Sequence, residues 1–142
     1  MIPPTEELLC CRGLGVRYTD PPAHALRLVD LRQGVGDRVA VLGATGAGKS
    51  TLLKCVNRIV PELRHASIEG EIRLFSEPIE RHRVSDLAGR VGFVFQDFEA
   101  QLFSTSVREE ILFGLEQLGI APAEMDERVD SALRAVGLDG FE

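Results

Sequence analysis

The chain has 142 residues, 44% hydrophobic and 27% charged, a composition that supports one globular domain with a real core and excludes wholesale disorder. Its net charge of −6 at neutral pH argues against a nucleic-acid binder that tracks phosphates with a basic face. No apolar run reaches the ~20 residues of a membrane span, and no basic stretch precedes an apolar one in Met1–Glu7, so the expectation is a cytoplasmic chain that meets a membrane only through partners.

In chain order, residues 7–18 read as a strand or bent strand pair, broken near Gly13 and Gly15, and Pro21-Pro22 then forces a turn. Cys10 and Cys11, adjacent in that strand, should point to opposite faces, and with Cys55 they are expected as reduced, small apolar residues. Leu26, Leu28 and Leu31 set around Arg27 and Asp30 suit a half-buried strand over 25–31, followed by a turn at Gly34-Val35-Gly36-Asp37. Arg38-Val39-Ala40-Val41-Leu42 is a short β-rich run ending at Gly43. Leu52, Leu53, Val56 and Ile59 predict a helix from about Lys49 to Val60, which Pro61 should end. Ile68, Ile72 and Leu74 alternate with Glu71 and Arg73, the pattern of an exposed-edge strand over 68–75. Val91-Gly92-Phe93-Val94-Phe95 is apolar throughout, as in a strand covered on both faces.

After Gln96 a loop is predicted over 97–105. Ser106 with Glu109 three residues on forms a capping box, and Ile111, Leu112, Leu115 and Leu118 give the following helix its apolar face. Gly119 ends it. Pro122 opens a second helix with Val129, Leu133 and Val136 on one face, closed by Gly137. The acidic stretch 123–130 reads as a solvent face, and His24, His65 and His82 as solvated loop residues.

The strongest chemical signal is Gly43-Ala44-Thr45-Gly46-Ala47-Gly48-Lys49-Ser50, followed by Thr51. It fits the phosphate-loop pattern G-x-x-x-x-G-K-[ST] without mismatch, between a predicted strand and a predicted helix. Glycines let consecutive backbone N–H groups turn inward and approach phosphate oxygens closely. The helix beginning near Gly48 adds its positive end. Lys49 brings a point charge to the terminal phosphates, and the Ser50 hydroxyl is a hard oxygen ligand for Mg²⁺. The plain alternative is a glycine-rich turn before a helix. ATP with Mg²⁺ is the expected ligand.

A phosphate loop alone leaves transporter ATPases, GTPases and nucleotide kinases open. Residues 91–106 (FQD…QLFS, continuing as SVREEILFG) resemble the Q-loop region of ABC transporter ATPases, in particular the ATPase subunits of energy-coupling-factor importers and their cobalt-importing relatives. NRIVPEL…IEGEI over 57–72 is similar to the same group, and the resemblance runs from about Tyr18 to the C-terminus. It implies an α/β fold: a P-loop NTPase core with an N-terminal antiparallel β subdomain (5–96 together) and the Q-loop with an incomplete helical subdomain (97–142). It further implies that Tyr18 stacks on adenine, that Gln96 touches Mg²⁺ and the attacking water, and that 97–103 faces a membrane subunit, with Leu102-Phe103 as its apolar contact. Simple packing of that pair against the following helix is the alternative. The implied partners are a second ATPase subunit, the same or different, and transmembrane importer subunits, at the inner face of the cell membrane.

The resemblance also leaves parts without a match. Nothing in the chain looks like the LSGGQ signature, no four apolar residues ending in Asp-Glu follow Gln96, and no switch histidine appears. Ala135-Val136-Gly137-Leu138 resembles the stretch just before the signature. The resemblance is thus to the N-terminal part of such a domain, and these 142 residues are expected to bind Mg-ATP without useful turnover. Two other readings stand beside it. One is a non-hydrolysing nucleotide-binding or regulatory module. The other is a GTPase-like switch using Asp86-Leu87-Ala88-Gly89 as D-x-x-G, which lacks a preceding apolar strand and any N-K-x-D.

Overall fold

The computed structural model of the chain describes residues 7–140, with only the backbone of Ala100. The segment Met1–Glu6, on which the reading of the N-terminus mostly rests, lies outside them. The chain forms two compact units, residues 1–91 and 92–142.

The first unit is built on a four-stranded antiparallel sheet in the order β2-β1-β3-β4. β1 (Glu7–Thr19) lies between β2 (Pro22–Gly34) and β3 (Ala66–Leu74), and β4 is the dipeptide Glu77–Pro78. β1 runs unbroken through Gly13 and Gly15. The glycines mark bulges: pairing with β3 slips between Arg12 and Gly15, and pairing with β2 slips between Cys11 and Leu14 and again before Val16. β3 is not an edge in strand order, but β4 meets it only at Arg73 and Leu74. Among the described residues its outer side therefore carries no strand from Ala66 to Ile72, which suits the alternating pattern of a half-exposed strand.

Alternation along β1, reset by the bulge between Cys11 and Leu14, sends Leu9, Cys11, Leu14, Val16 and Tyr18 to one face. There they pack with Leu26, Ile72 and Leu74 of the neighbouring strands, with Leu52 and Cys55 of α1 (Lys49–Val56), and with Val60, Ile79 and Leu87. All three cysteines are buried free thiols, as expected. Loss of hydration pushes the Cys11 thiol up to about 11 and Cys55 up to about 12.

The helix predicted to run on to Val60 stops at Val56. Asn57 is buried, and its side-chain oxygen accepts the Ile59 N–H at 3.2 Å, a local turn that competes with the helix. Arg58 takes a left-handed conformation (φ 62°) and donates to the Ile79 carbonyl at 3.3 Å. Pro61 sits inside the short turn α2 (Ile59–Glu62), and the residue before it, Val60, is extended (φ −107°, ψ 123°), as the proline ring demands. His82 also departs from expectation. Its side chain is only 11% exposed and its Nε2 lies 3.5 Å from Glu77, because the 3₁₀ turn Ile79–Arg81 folds it inward. His24 is exposed but lies within β2, and His65 is exposed in a loop.

Neither apolar run, 38–42 or 91–95, is a strand here. Neither has a ladder partner among the described residues, and a strand exists only through its ladder. Several of their side chains stay open to solvent, Leu42 at 89% and Val94 at 82%.

The second unit pairs α4 (Val107–Gln117) with α5 (Pro122–Val136). Ser106 caps α4, its hydroxyl accepting the Glu109 N–H at 3.2 Å, while the Glu109 carboxylate turns to the Thr105 hydroxyl at 2.7 Å instead of closing the box. Gly137 closes α5 with φ 71°. Val129 and Leu133 are buried as expected; Val136 is 68% exposed, since the last turn of α5 finds no cover. No residue of α4 is fully buried, so its apolar stripe is only half covered. Part of the acidic face of α5 is not bare: Asp126 and Asp130 pair with Arg108 of α4. No helix of the described residues is long and apolar enough to cross a membrane.

Leu14 sits at 0% exposure in the middle of the sheet's packed face. Leu14→Ala is expected to lower unfolding free energy by about 2–5 kcal/mol, read as a shifted urea midpoint at unchanged slope.

Candidate phosphate-binding site

Residues 43–48 lead into α1, whose first turn supplies Lys49, Ser50 and Thr51. Gly43, Gly46 and Gly48 have φ of 156°, 82° and 93°, and the latter two lie well inside a region that side chains avoid. At Gly48 the constraint is also spatial. A Cβ there would lie 2.3 Å from the Ala25 carbonyl oxygen and 2.7 Å from Leu26 Cδ2, both on β2. Glycine alone lets the loop pass this close to the strand and enter the helix directly.

Gly48 is also the N-cap of α1, and no side chain caps it. The first N–H groups of a helix have no intrahelical partner, so they and the positive end of the helix are available to an anion at this end. The Lys49 ammonium is folded into the same loop, 2.7 Å from the Gly43 carbonyl and 2.8 Å from that of Ala44. Ala47 N–H closes a turn onto the Ala44 carbonyl at 3.2 Å, which shapes the stretch through Thr45 and Gly46. Ser50 is exposed at the first turn, and Thr51 is buried beneath it. A cradle of glycine-only backbone, free helix-terminal N–H groups, one lysine and an exposed hydroxyl has the chemistry of a polyphosphate and cation site. The residues fit Mg-ATP: Gly43 to Lys49 and the start of α1 would hold phosphates, and Ser50 would offer an oxygen to Mg²⁺.

Tyr18 is tied to this loop in a way the sequence did not announce. Its ring is half-buried against the core, and its hydroxyl lies 3.1 Å from Thr51 Oγ1. The two residues are 33 positions apart, so no local pattern could have paired them. Gln96 is exposed at the bend after Phe95, in the second unit. Asp86 serves the fold rather than a phosphate: its carboxylate accepts the Arg83 N–H at 2.8 Å and so caps α3 (Val84–Ala88), while Leu87 is buried. That removes the structural basis for a GTPase-like reading of 86–89.

Tyr18→Phe deletes the bond to Thr51 and keeps the ring, so it is expected to cost about 0.5–1.5 kcal/mol of stability. Nucleotide affinity should change little in that variant if only the ring face is used. Tyr18→Ala should lower both. Parallel thermal melts and calorimetric ATP titrations of the two variants separate the effects.

The sequence profile of the family described as "ABC transporter" matches residues 26–142. A putative ABC transporter ATP-binding protein of Methanosarcina mazei is 44% identical over 126 residues, 89% of this chain and 37% of that protein. Another, of Pyrococcus abyssi, is 36% identical over 126 residues, 89% of this chain and 45% of that protein. Among solved structures, cbiO1 of Clostridium perfringens, described as part of the ABC transporter complex cbiONQ, superimposes with a TM-score of 0.79. It is 33% identical, and the match covers 96% of this chain and 53% of that one. The chain thus spans under half the length of these two curated relatives and about half of the solved one. With a matching profile over most of its length and a phosphate loop built as described, the chain belongs to the ATP-binding proteins of ABC transporters.

Proposed function

We propose that this chain binds Mg-ATP as the nucleotide-binding part of an importer ATPase of the energy-coupling-factor type, whose substrate is cobalt, another metal or a vitamin. The observation that carries the ATP-binding reading is the loop from Gly43 to Thr51, pressed onto β2 at Gly48 with the Lys49 ammonium inside it. The importer type is supported by the likeness to cbiO1, described as part of the cbiONQ complex, and by the residues around Gln96.

In this reading the N–H groups of the loop and of the first turn of α1 receive phosphate oxygens. Lys49 leaves the Gly43 and Ala44 carbonyls for the terminal phosphates. Tyr18 offers its ring to adenine. Ser50 would offer its hydroxyl to Mg²⁺, and Gln96, by the family resemblance, would touch the cation and the attacking water. When bound, the cation offsets phosphate charge and fixes the orientation of the chain of phosphates. The partners are a second ATPase subunit, which closes over the nucleotide, and transmembrane subunits that receive the segment 97–103. The subunit works at the inner face of the cell membrane. The 142 residues by themselves bind without useful turnover, because no apolar run ending in Asp-Glu follows Gln96 to polarise the water.

Lys49→Ala removes a charge-assisted contact, so ATP affinity should fall roughly 10- to 150-fold in a folded variant. Isothermal titration decides it, and unchanged affinity would overturn the phosphate-cradle assignment. A phosphate-release assay on the same 142 residues should give no turnover that Lys49→Ala abolishes. Steady turnover near 1 s⁻¹ or faster, within the ordinary range of enzymes, would mean that another carboxylate completes the site.

A further inference from the structure

The segment after Gln96 presents two apolar side chains to solvent: Leu102 at 61% exposure and Phe103 at 65%. An exposed loop with apolar side chains has little of its own to hold one shape. This one is held from α4. The Glu110 carboxylate oxygen Oε2 accepts the Ser104 N–H at 3.0 Å and the Phe103 N–H at 3.3 Å. One carboxylate therefore fixes two consecutive peptide planes directly behind the apolar pair.

The neighbouring contacts act on the same stretch. Thr105 Oγ1 donates to Glu109 at 2.7 Å, and Ser106 caps the helix. The Phe103 ring meets Phe113 of α4 edge-on, with centroids 4.6 Å apart at 90°, which stops the ring from rotating away yet leaves most of it open. Backbone and ring are both anchored to one helix, and the anchored object is an exposed apolar knob.

We infer that Glu110 is a positioning residue: it holds Leu102 and Phe103 in the shape in which they dock on the transmembrane partner. The assignment rests on the importer reading above. A preformed knob loses less freedom on docking than a floppy one, so the effect should appear in partner affinity as well as in local order. The bonds from Ser104 and Phe103 hold the Glu110 carboxyl below its usual range. A depressed carboxyl contributes above its unfolded value and loses that contribution as pH falls through the folded one. The knob should therefore loosen on acidification and be firm at neutral pH.

The test compares wild type, Glu110→Gln and Glu110→Ala, with Leu102→Asp as a docking control. In the 142-residue chain, the amide shifts of Phe103 and Ser104 should titrate together in acid in the wild type and stay flat in Glu110→Gln. Amide exchange at both should quicken roughly 10- to 150-fold in Glu110→Ala and less in Glu110→Gln, which keeps an acceptor oxygen. The same substitutions are then titrated onto the transmembrane subunits of the importer in lipid nanodiscs. Glu110→Ala should bind at least about tenfold more weakly, with partial rescue in Glu110→Gln. If Glu110→Ala binds like wild type while Leu102→Asp does not, the positioning role is wrong and the importer reading survives. If Leu102→Asp also binds like wild type, the docking reading falls and takes this role with it.

Discussion

Gly48 passes within van der Waals contact of β2, leaving no room for a Cβ beside the Ala25 carbonyl. That contact lies at the N-cap of α1. It also couples the site to the sheet. The same strand that supplies Ala25 and Leu26 pairs with β1, which carries Tyr18 back to Thr51 on α1. Loop, helix start and the two strands thus form one closed circuit, with a backbone approach at one crossing and a hydroxyl pair at the other. Lys49, at the start of α1, donates to the Gly43 and Ala44 carbonyl oxygens.

Much of this is legible in the residues because it is local. The phosphate loop is a contiguous pattern whose chemistry follows from its residue types. The strands at 7–19 and 66–74 announce themselves by alternation, and Ser106 and Gly137 mark helix ends through side-chain and backbone properties of single positions. What could not be read is non-local. Asn57 and Arg58 break the helix early because Asn57 turns onto Ile59 and Arg58 reaches Ile79, 21 positions away. His82 is folded inward by a 3₁₀ turn that its own neighbourhood does not predict. The contact of Tyr18 with Thr51 spans 33 positions.

The runs 38–42 and 91–95 teach a different lesson. Their composition is that of covered strands, yet composition sets only a preference, and pairing needs a neighbour. Among the described residues neither finds one. The result is that Val41, Leu42 and Val94 stay exposed. A propensity for β structure is a statement about what a segment would do with a partner.

The buried thiols carry a practical consequence. Burial pushes the Cys11 and Cys55 thiols well above their ordinary range, so both stay protonated at neutral pH. Both lie in the buried cluster that also holds Leu9, Leu14, Ile72 and Leu52. Alkylating reagents can reach them only when β1 and α1 separate. Their labelling rate therefore measures how often the core behind the phosphate loop opens, without any probe being added to the chain.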